Sequence, residues 1–305
     1  MTQIVSVFLS MLMLLATRLA SASDPVPAAP QTAASTSEPS APALRWNDDW
    51  PRFRLWEYAV TGTVGPAAIA EYIWLPNPSQ AHWTGGILFD DAVRDALRLR
   101  STSALRVAWT AADVVGVSVT VLAVGVDSLI VPLARGSSDV ALQTTLMDLE
   151  AYALSSIVTI TLYSTVGRAR PSYADCKANP SFSPDCDVAT YDSFPSGHTN
   201  EAFTAAGLSC ANHTHLPIYG SRLADTLACI RDVALASFEG TLRIMGDRHY
   251  ASDVLTGAAI GFGFGFGVPT LLHYRGNAQS GASGGLLVSP LLGAGRLGLV
   301  ASAPF

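Results

Sequence analysis

Three short polar clusters punctuate an otherwise apolar chain, and they constrain the fold more than any other feature. They read V-G-R-A-R-P (Val166 to Pro171), F-P-S-G-H (Phe194 to His198) and L-R-I-M-G-D-R-H-Y-A-S-D (Leu242 to Asp253). Together they supply arginines, a Ser-Gly pair, and two histidines, one with an aspartate four residues on. That inventory suits phosphoryl transfer, whose transition state mainly needs fixed donors and positive charge around three oxygens. Arg170 and Arg243 can each present a planar fork of N–H donors. Ser196 and Gly197 can add a hydroxyl and backbone N–H groups where Pro195, Ser196 and Gly197 lead into a helix. For this chemistry to occur, groups far apart in the chain must converge on one pocket.

Apolar residues make up 49% of the 305 positions and charged residues 14%, which calls for a sizeable core or membrane burial. A net charge of −6 argues against a nucleic-acid partner. Lys177 is the only lysine, so positive charge is almost all arginine.

The first 22 residues, with an apolar run from Ile4 to Ala16 and Ala20-Ser21-Ala22 after it, read as a signal peptide, although no basic side chain precedes the run. Residues 23–45 are rich in Pro, Ala and Ser and read as a disordered linker. The ordered domain is expected over 46–275. Helices are expected over Arg52–Tyr72, after Asp90, and over Thr102–Ala134, Ser138–Gly167, His198–Asn212, Leu223–Met245 and, capped by Ser252, on to about His273. Residues 172–193 read as a loop. The glycine run Gly261 to Gly267 lies inside an apolar segment and points to close helix packing, not to phosphate binding. In the Gly-rich tail, 276–305, Leu286–Ser289 and Leu297–Ala301 can pair as a small hairpin. The expected fold is an all-α bundle of about six core helices.

The three clusters resemble the signature of the type 2 phosphatidic-acid phosphatase and vanadium haloperoxidase superfamily: Lys-x6-Arg-Pro, Pro-Ser-Gly-His and Ser-Arg-x5-His-x3-Asp. Arg170-Pro171, Pro195 to His198, and Arg243, His249 and Asp253 match at the right spacings. Tyr163 stands at the lysine position and Leu242 at the serine position. The resemblance implies a helical, metal-independent phosphatase with no bound cofactor, acting on phosphomonoesters or on lipid phosphates or pyrophosphates. His249 would attack phosphorus and Asp253 would orient its other ring nitrogen. His198 would protonate the leaving oxygen and then activate water. Arg170, Arg243, Ser196 and Gly197 would hold the oxygens, with Tyr163 offering one hydrogen bond in place of a charge. The same resemblance admits a haloperoxidase with vanadate as cofactor, whereas a phosphatase would meet vanadate as an inhibitor. A third reading is a non-catalytic envelope protein that keeps the scaffold.

Other polar residues read as structural. Arg168 is expected to be solvated or to sit behind the site, Asp247 and Arg248 to pair on the surface, and His213 and His215 to lie in a surface loop. Four cysteines fit an oxidising compartment and allow three connectivities. The local pairs Cys176–Cys186 and Cys210–Cys229 are expected. Three segments approach the ~20 apolar residues that a membrane span needs. Arg94, Arg98, Arg100 and Arg106 would then lie outside, against the positive-inside bias. An exported, periplasmic domain whose apolar helices bury against each other is therefore favoured, with association at a membrane surface left open.

Overall fold

The computed structural model describes residues 43–75, 78–186 and 191–275, and two strands beyond them. The signal peptide, the linker up to residue 42, the Pro76-Asn77 pair and the tail over 276–286 fall outside these residues. Six long helices make the frame: α1 (Leu55–Trp74), α3 (Thr102–Ala134), α4 (Ser138–Val166), α6 (Gly197–His215), α7 (Arg222–Met245) and α8 (Ala251–Leu272). Two short ones, α2 (Asp90–Leu97) and α5 (Tyr173–Ala178), lie in the connections, so the loop expected over 172–193 holds a helix of its own. Strands β1 (Leu287–Gly293) and β2 (Arg296–Ser302) pair antiparallel with Val288 opposite Ala301. The fold is all-α with that hairpin appended.

Local chemistry sets the helix boundaries. Ser101 caps α3, its Oγ accepting from Ala104 N at 3.2 Å. Within α3, residues Val121–Ile130 widen to a π-helix. Carbonyls loosened by that geometry need other donors. Ser128 Oγ donates to Ala123 O at 3.1 Å, and Thr144 Oγ1 from α4 donates to Ser128 O at 2.7 Å. Helix α4 stops at Gly167, whose φ of 62° is left-handed. A Cβ there would also meet His82 Nδ1 at 2.8 Å. The Gly167 carbonyl accepts from His82 N and Trp83 N at 3.0 and 3.3 Å, which lays residues 82–83 along the first polar cluster. Ser252 is not the cap of α8: Tyr250 is, and Ser252 sits inside the first turn with its hydroxyl donating to Asp90 at 2.7 Å.

Helix α6 is the hub and touches α3, α4, α7 and α8. Its buried face is made of small residues, Ala202, Ala205, Ala206 and Ala211 among them. Glycines on α8 complete the fit. A Cβ on Gly261 or Gly265 would come within 2.2 Å of the Asn200 or Thr204 carbonyl oxygen, so only hydrogen is tolerated there. A disulfide joins Cys210 of α6 to Cys229 of α7, and another closes the Cys176–Cys186 loop.

The outer faces differ from the expectation that apolar helices bury against one another. In the most apolar windows of α3, α4 and α8, 39%, 44% and 33% of residues are buried. Along α3, Val107, Val114, Val121, Ile130 and Leu133 are exposed. These three helices are long and apolar enough to cross a membrane.

Candidate active site

All three polar clusters lie at the end of the bundle where α4 and α7 finish and α6 and α8 begin. The first cluster follows Gly167. The second is the start of α6, entered through a cis Phe194–Pro195 bond. The third links α7 to α8. Ser196 N donates to Asp253 O at 3.0 Å and ties the starts of α6 and α8 together. Gly257 of α8 lies under that junction, because a Cβ on it would stand 2.4 Å from Ser196 O. Gly197 and His198 begin α6, so their N–H groups have no partner one turn back and are available to an anion. Ser196 Oγ lies 2.9 Å from Thr199 Oγ1.

His249 is buried, and its Nδ1 lies 2.8 Å from the Ser193 carbonyl oxygen. A carbonyl only accepts, so Nδ1 carries the proton and Nε2 keeps its lone pair. Burial is the main cause that holds the His249 pKa well below the usual 6.5; Arg170 adds to it, then Arg243 and Arg248, against the Ser193 hydrogen bond. His249 is therefore a neutral imidazole surrounded by guanidinium groups. His198 shows 47% of its side chain to the cleft. Its pKa is also held well below 6.5, by desolvation first, then by Arg243 and His249. The open side of the cleft tempers that desolvation.

Asp253 does not touch His249. Its Oδ2 accepts from Ser193 Oγ at 2.7 Å and from Tyr250 N at 2.8 Å, and its Oδ1 from Arg168 Nη1 at 2.5 Å. The direct contact expected from the four-residue offset fails because His249 precedes the helix and Asp253 is in its first turn. Ser193, which supplies both links, had no signature in the sequence. Of the two places expected for Arg168, in solvent or behind the site, it takes the second, on Asp253. It is fully buried between the Trp83 and Tyr250 rings, at 3.8 and 4.1 Å from their centres, and also donates to Asp90 at 2.8 Å.

The remaining arginines of the cleft each hold a carboxylate. Arg243 donates to Glu239 and to Asp113, both at 2.6 Å, and Asp113 also stands 3.9 Å from His198 Nε2. Arg170 reaches Asp192 at 3.1 Å and Asp185 at 3.5 Å. Arg248 pairs with Asp185 and lies 4.6 Å over the Trp109 ring. It thus belongs to the cleft and not to a surface pair with Asp247. Asp247 is buried and held by Arg94 and Arg98, each at 2.7 Å. Tyr163, at the lysine position, has a buried hydroxyl with no hydrogen-bond partner. His213 is likewise not in a loop. It is buried in α6, 2.8 Å from Asp225 and 3.2 Å from Asp127. Asp113 was visible in the sequence only as a charge interrupting an apolar helix, and Asp185 only as one acid in a polar loop.

Comparison with known proteins accords with this arrangement. Residues 146–277 match the PAP2 superfamily model, a span that contains all three clusters. A lipid A 1-phosphatase of Porphyromonas gingivalis is 45% identical over 75 residues, covering 25% of this chain and 15% of that protein. One from Rhizobium etli is 32% identical over 120 residues, 39% of this chain and 46% of the other. The chain thus spans less than half the length of the curated relatives it matches. The crystal structure of a transmembrane PAP2-type phosphatidylglycerolphosphate phosphatase from Bacillus subtilis aligns with a TM-score of 0.44 at 18% identity, over 71% of this chain and 92% of that one, too loosely to carry an argument. The three clusters, gathered at one end of a helical bundle, all lie inside the part of the chain that is similar to the PAP2 superfamily.

Proposed function

We propose that the protein is a phosphoric ester hydrolase that removes phosphate from a lipid through a phospho-histidine intermediate. One observation carries the reading: the His249 proton is pinned on Nδ1 by the Ser193 carbonyl, which leaves the Nε2 lone pair free in a cleft ringed by Arg170, Arg243 and Arg248. Nε2 attacks phosphorus while the bond to the leaving oxygen breaks, and His198 gives that oxygen its proton. His198 then takes a proton from water, which attacks the phospho-imidazole and returns His249. Arginine forks and the first N–H groups of α6 neutralise the oxygens, as the lysine position has only the Tyr163 hydroxyl to offer. The step asks nothing of a metal. Vanadate, a phosphate-like oxyanion, fits the same cradle as an inhibitor.

His198 must be protonated to act as the acid, yet it is held neutral in the free site. A bound phosphate dianion reverses the local sign of charge, so substrate itself raises the affinity of His198 for a proton. The lipid nature of the substrate is supported by the exposed apolar faces of α3, α4 and α8, which suit insertion into a bilayer beside the cleft, and by the lipid A 1-phosphatase relatives. Phosphate release with a chelator present, from lipid phosphates and from soluble esters, tests the proposal. Wild type should prefer the lipid, and His249→Ala should lose at least about 10³-fold in kcat/KM. Equal activity in the variant, or none in wild type on any phosphate, would overturn it.

A further inference from the structure

We infer that Glu57, Glu150 and His273 form a binding site for a divalent first-row metal ion, best suited to Zn2+, at the end of the bundle away from the catalytic cleft. The three residues come from the start of α1, the middle of α4 and the end of α8. One donor atom from each lies within 4.8 Å of the other two. His273 Nε2 stands 3.5 Å from Glu57 Oε1 and 3.8 Å from Glu150 Oε2, and all three side chains are at most 1% exposed.

Two further observations point to a cation. Both Glu150 carboxylate oxygens and His273 Nε2 are buried with no hydrogen-bond partner, a costly arrangement for groups this polar. The other nitrogen, His273 Nδ1, lies 3.2 Å from the Pro51 carbonyl oxygen, which fixes the proton there and turns the Nε2 lone pair toward the two carboxylates. Electron pairs facing one another at these distances repel unless a cation lies between them. A backbone carbonyl on the far ring nitrogen is also how proteins orient metal-binding histidines. The Phe53 ring, stacked on His273 at 5.8 Å, holds the imidazole plane. Arg54 binds Glu57 from the solvent side, Nη2 to Oε1 at 2.9 Å, and leaves that oxygen a second lone pair. Tetrahedral zinc places neighbouring ligand atoms roughly 3.4 Å apart, so the site needs little closure. One nitrogen and two carboxylates leave a fourth position for water. The ion would staple three helices, and the inference does not depend on the phosphatase reading.

The test uses the full chain, stripped with a chelator and reloaded with Zn2+ or Co2+. Elemental analysis should find one ion per chain, Co2+ should show tetrahedral d–d bands, and Zn2+ should raise Tm. Glu150→Gln, which keeps the side-chain shape, should weaken binding at least tenfold and erase the rise in Tm; His273→Ala should do the same. Wild type that holds no stoichiometric ion would overturn the inference and leave a shared proton as the occupant. Unchanged affinity in Glu150→Gln would overturn it too, placing the metal elsewhere.

Discussion

Asp253 reaches the His249 ring through Ser193, whose hydroxyl donates to the carboxylate at 2.7 Å while its carbonyl holds the imidazole at 2.8 Å. The acid therefore acts as an anchor for a loop and not as a direct partner of the ring. Ser193→Ala should lower kcat by about 10²-fold, since a shift of the nucleophile of about 1 Å has that effect, with a stability loss of about 1 kcal/mol. Asp253→Ala should lose about 3 kcal/mol, because Arg168 is then buried with one carboxylate instead of two. Steady-state kinetics with thermal melts decide the matter. An Asp253→Ala enzyme with unaltered kcat would show that the anchor is not needed.

His249 makes stability depend on pH. Its folded pKa is depressed, so below about 6.5 the unfolded chain binds a proton that the folded chain refuses. Stability should be full above that pH and should fall as pH drops from 6.5 toward the depressed folded value. Chemical denaturation at a series of pH values measures this, and His249→Gln should flatten the slope. Inorganic phosphate or vanadate should move the imidazole resonances of His198 to a higher titration midpoint in NMR spectra. A slope that is identical in wild type and variant would exclude His249 as its source.

On the proposed mechanism, Asp185 competes with phosphate for two arginines of the cleft. It pairs with Arg248 and stands 3.5 Å from Arg170, and Ser183 Oγ steadies it at 2.6 Å. Phosphate must displace that carboxylate. Asp185→Asn should therefore lower the Ki for inorganic phosphate several-fold, a change of about 1 kcal/mol, with kcat within a factor of two of wild type. A higher Ki would mean that Asp185 positions the arginines instead of competing for them.

Tyr163 supplies a neutral, unpartnered hydroxyl where relatives of the signature place an ammonium. Tyr163→Lys should tighten phosphate or vanadate binding by about tenfold, the scale of one added charge-assisted hydrogen bond. Isothermal titration with vanadate reads it directly. Poorer affinity in the lysine variant would show that the phenol is adapted to this pocket.

Much of this architecture can be read from residue order. Apolar runs of helical length end close to where α3, α4, α7 and α8 end, because Gly167 and the polar clusters interrupt them. The cleft residues carry their own spacing, so Arg170, His198, Arg243 and His249 stand out. What stayed hidden depends on contacts between distant segments. Ser193 acts on His249 partly through a backbone carbonyl, which any residue could offer. Asp113, Asp185 and Asp90 are single acids whose partners lie 130, 63 and 78 positions away. His213 read as a surface residue because charge normally does, and Arg168 as either solvated or behind the site; here paired carboxylates let the first be buried, and an aromatic sandwich holds the second behind the site.

The backbone-on-backbone seat of α8 against α6 has a consequence for how this scaffold can diversify. Gly261 and Gly265 meet carbonyl oxygens that cannot step aside, so the starts of α6 and α8, with Ser196 on one and His249 just before the other, are held as one rigid unit. Adaptation to a new headgroup therefore has little room beneath the phosphate. The freedom lies in the rim, in the disulfide-closed turn that carries Asp185, where exchanges alter what enters without disturbing what reacts.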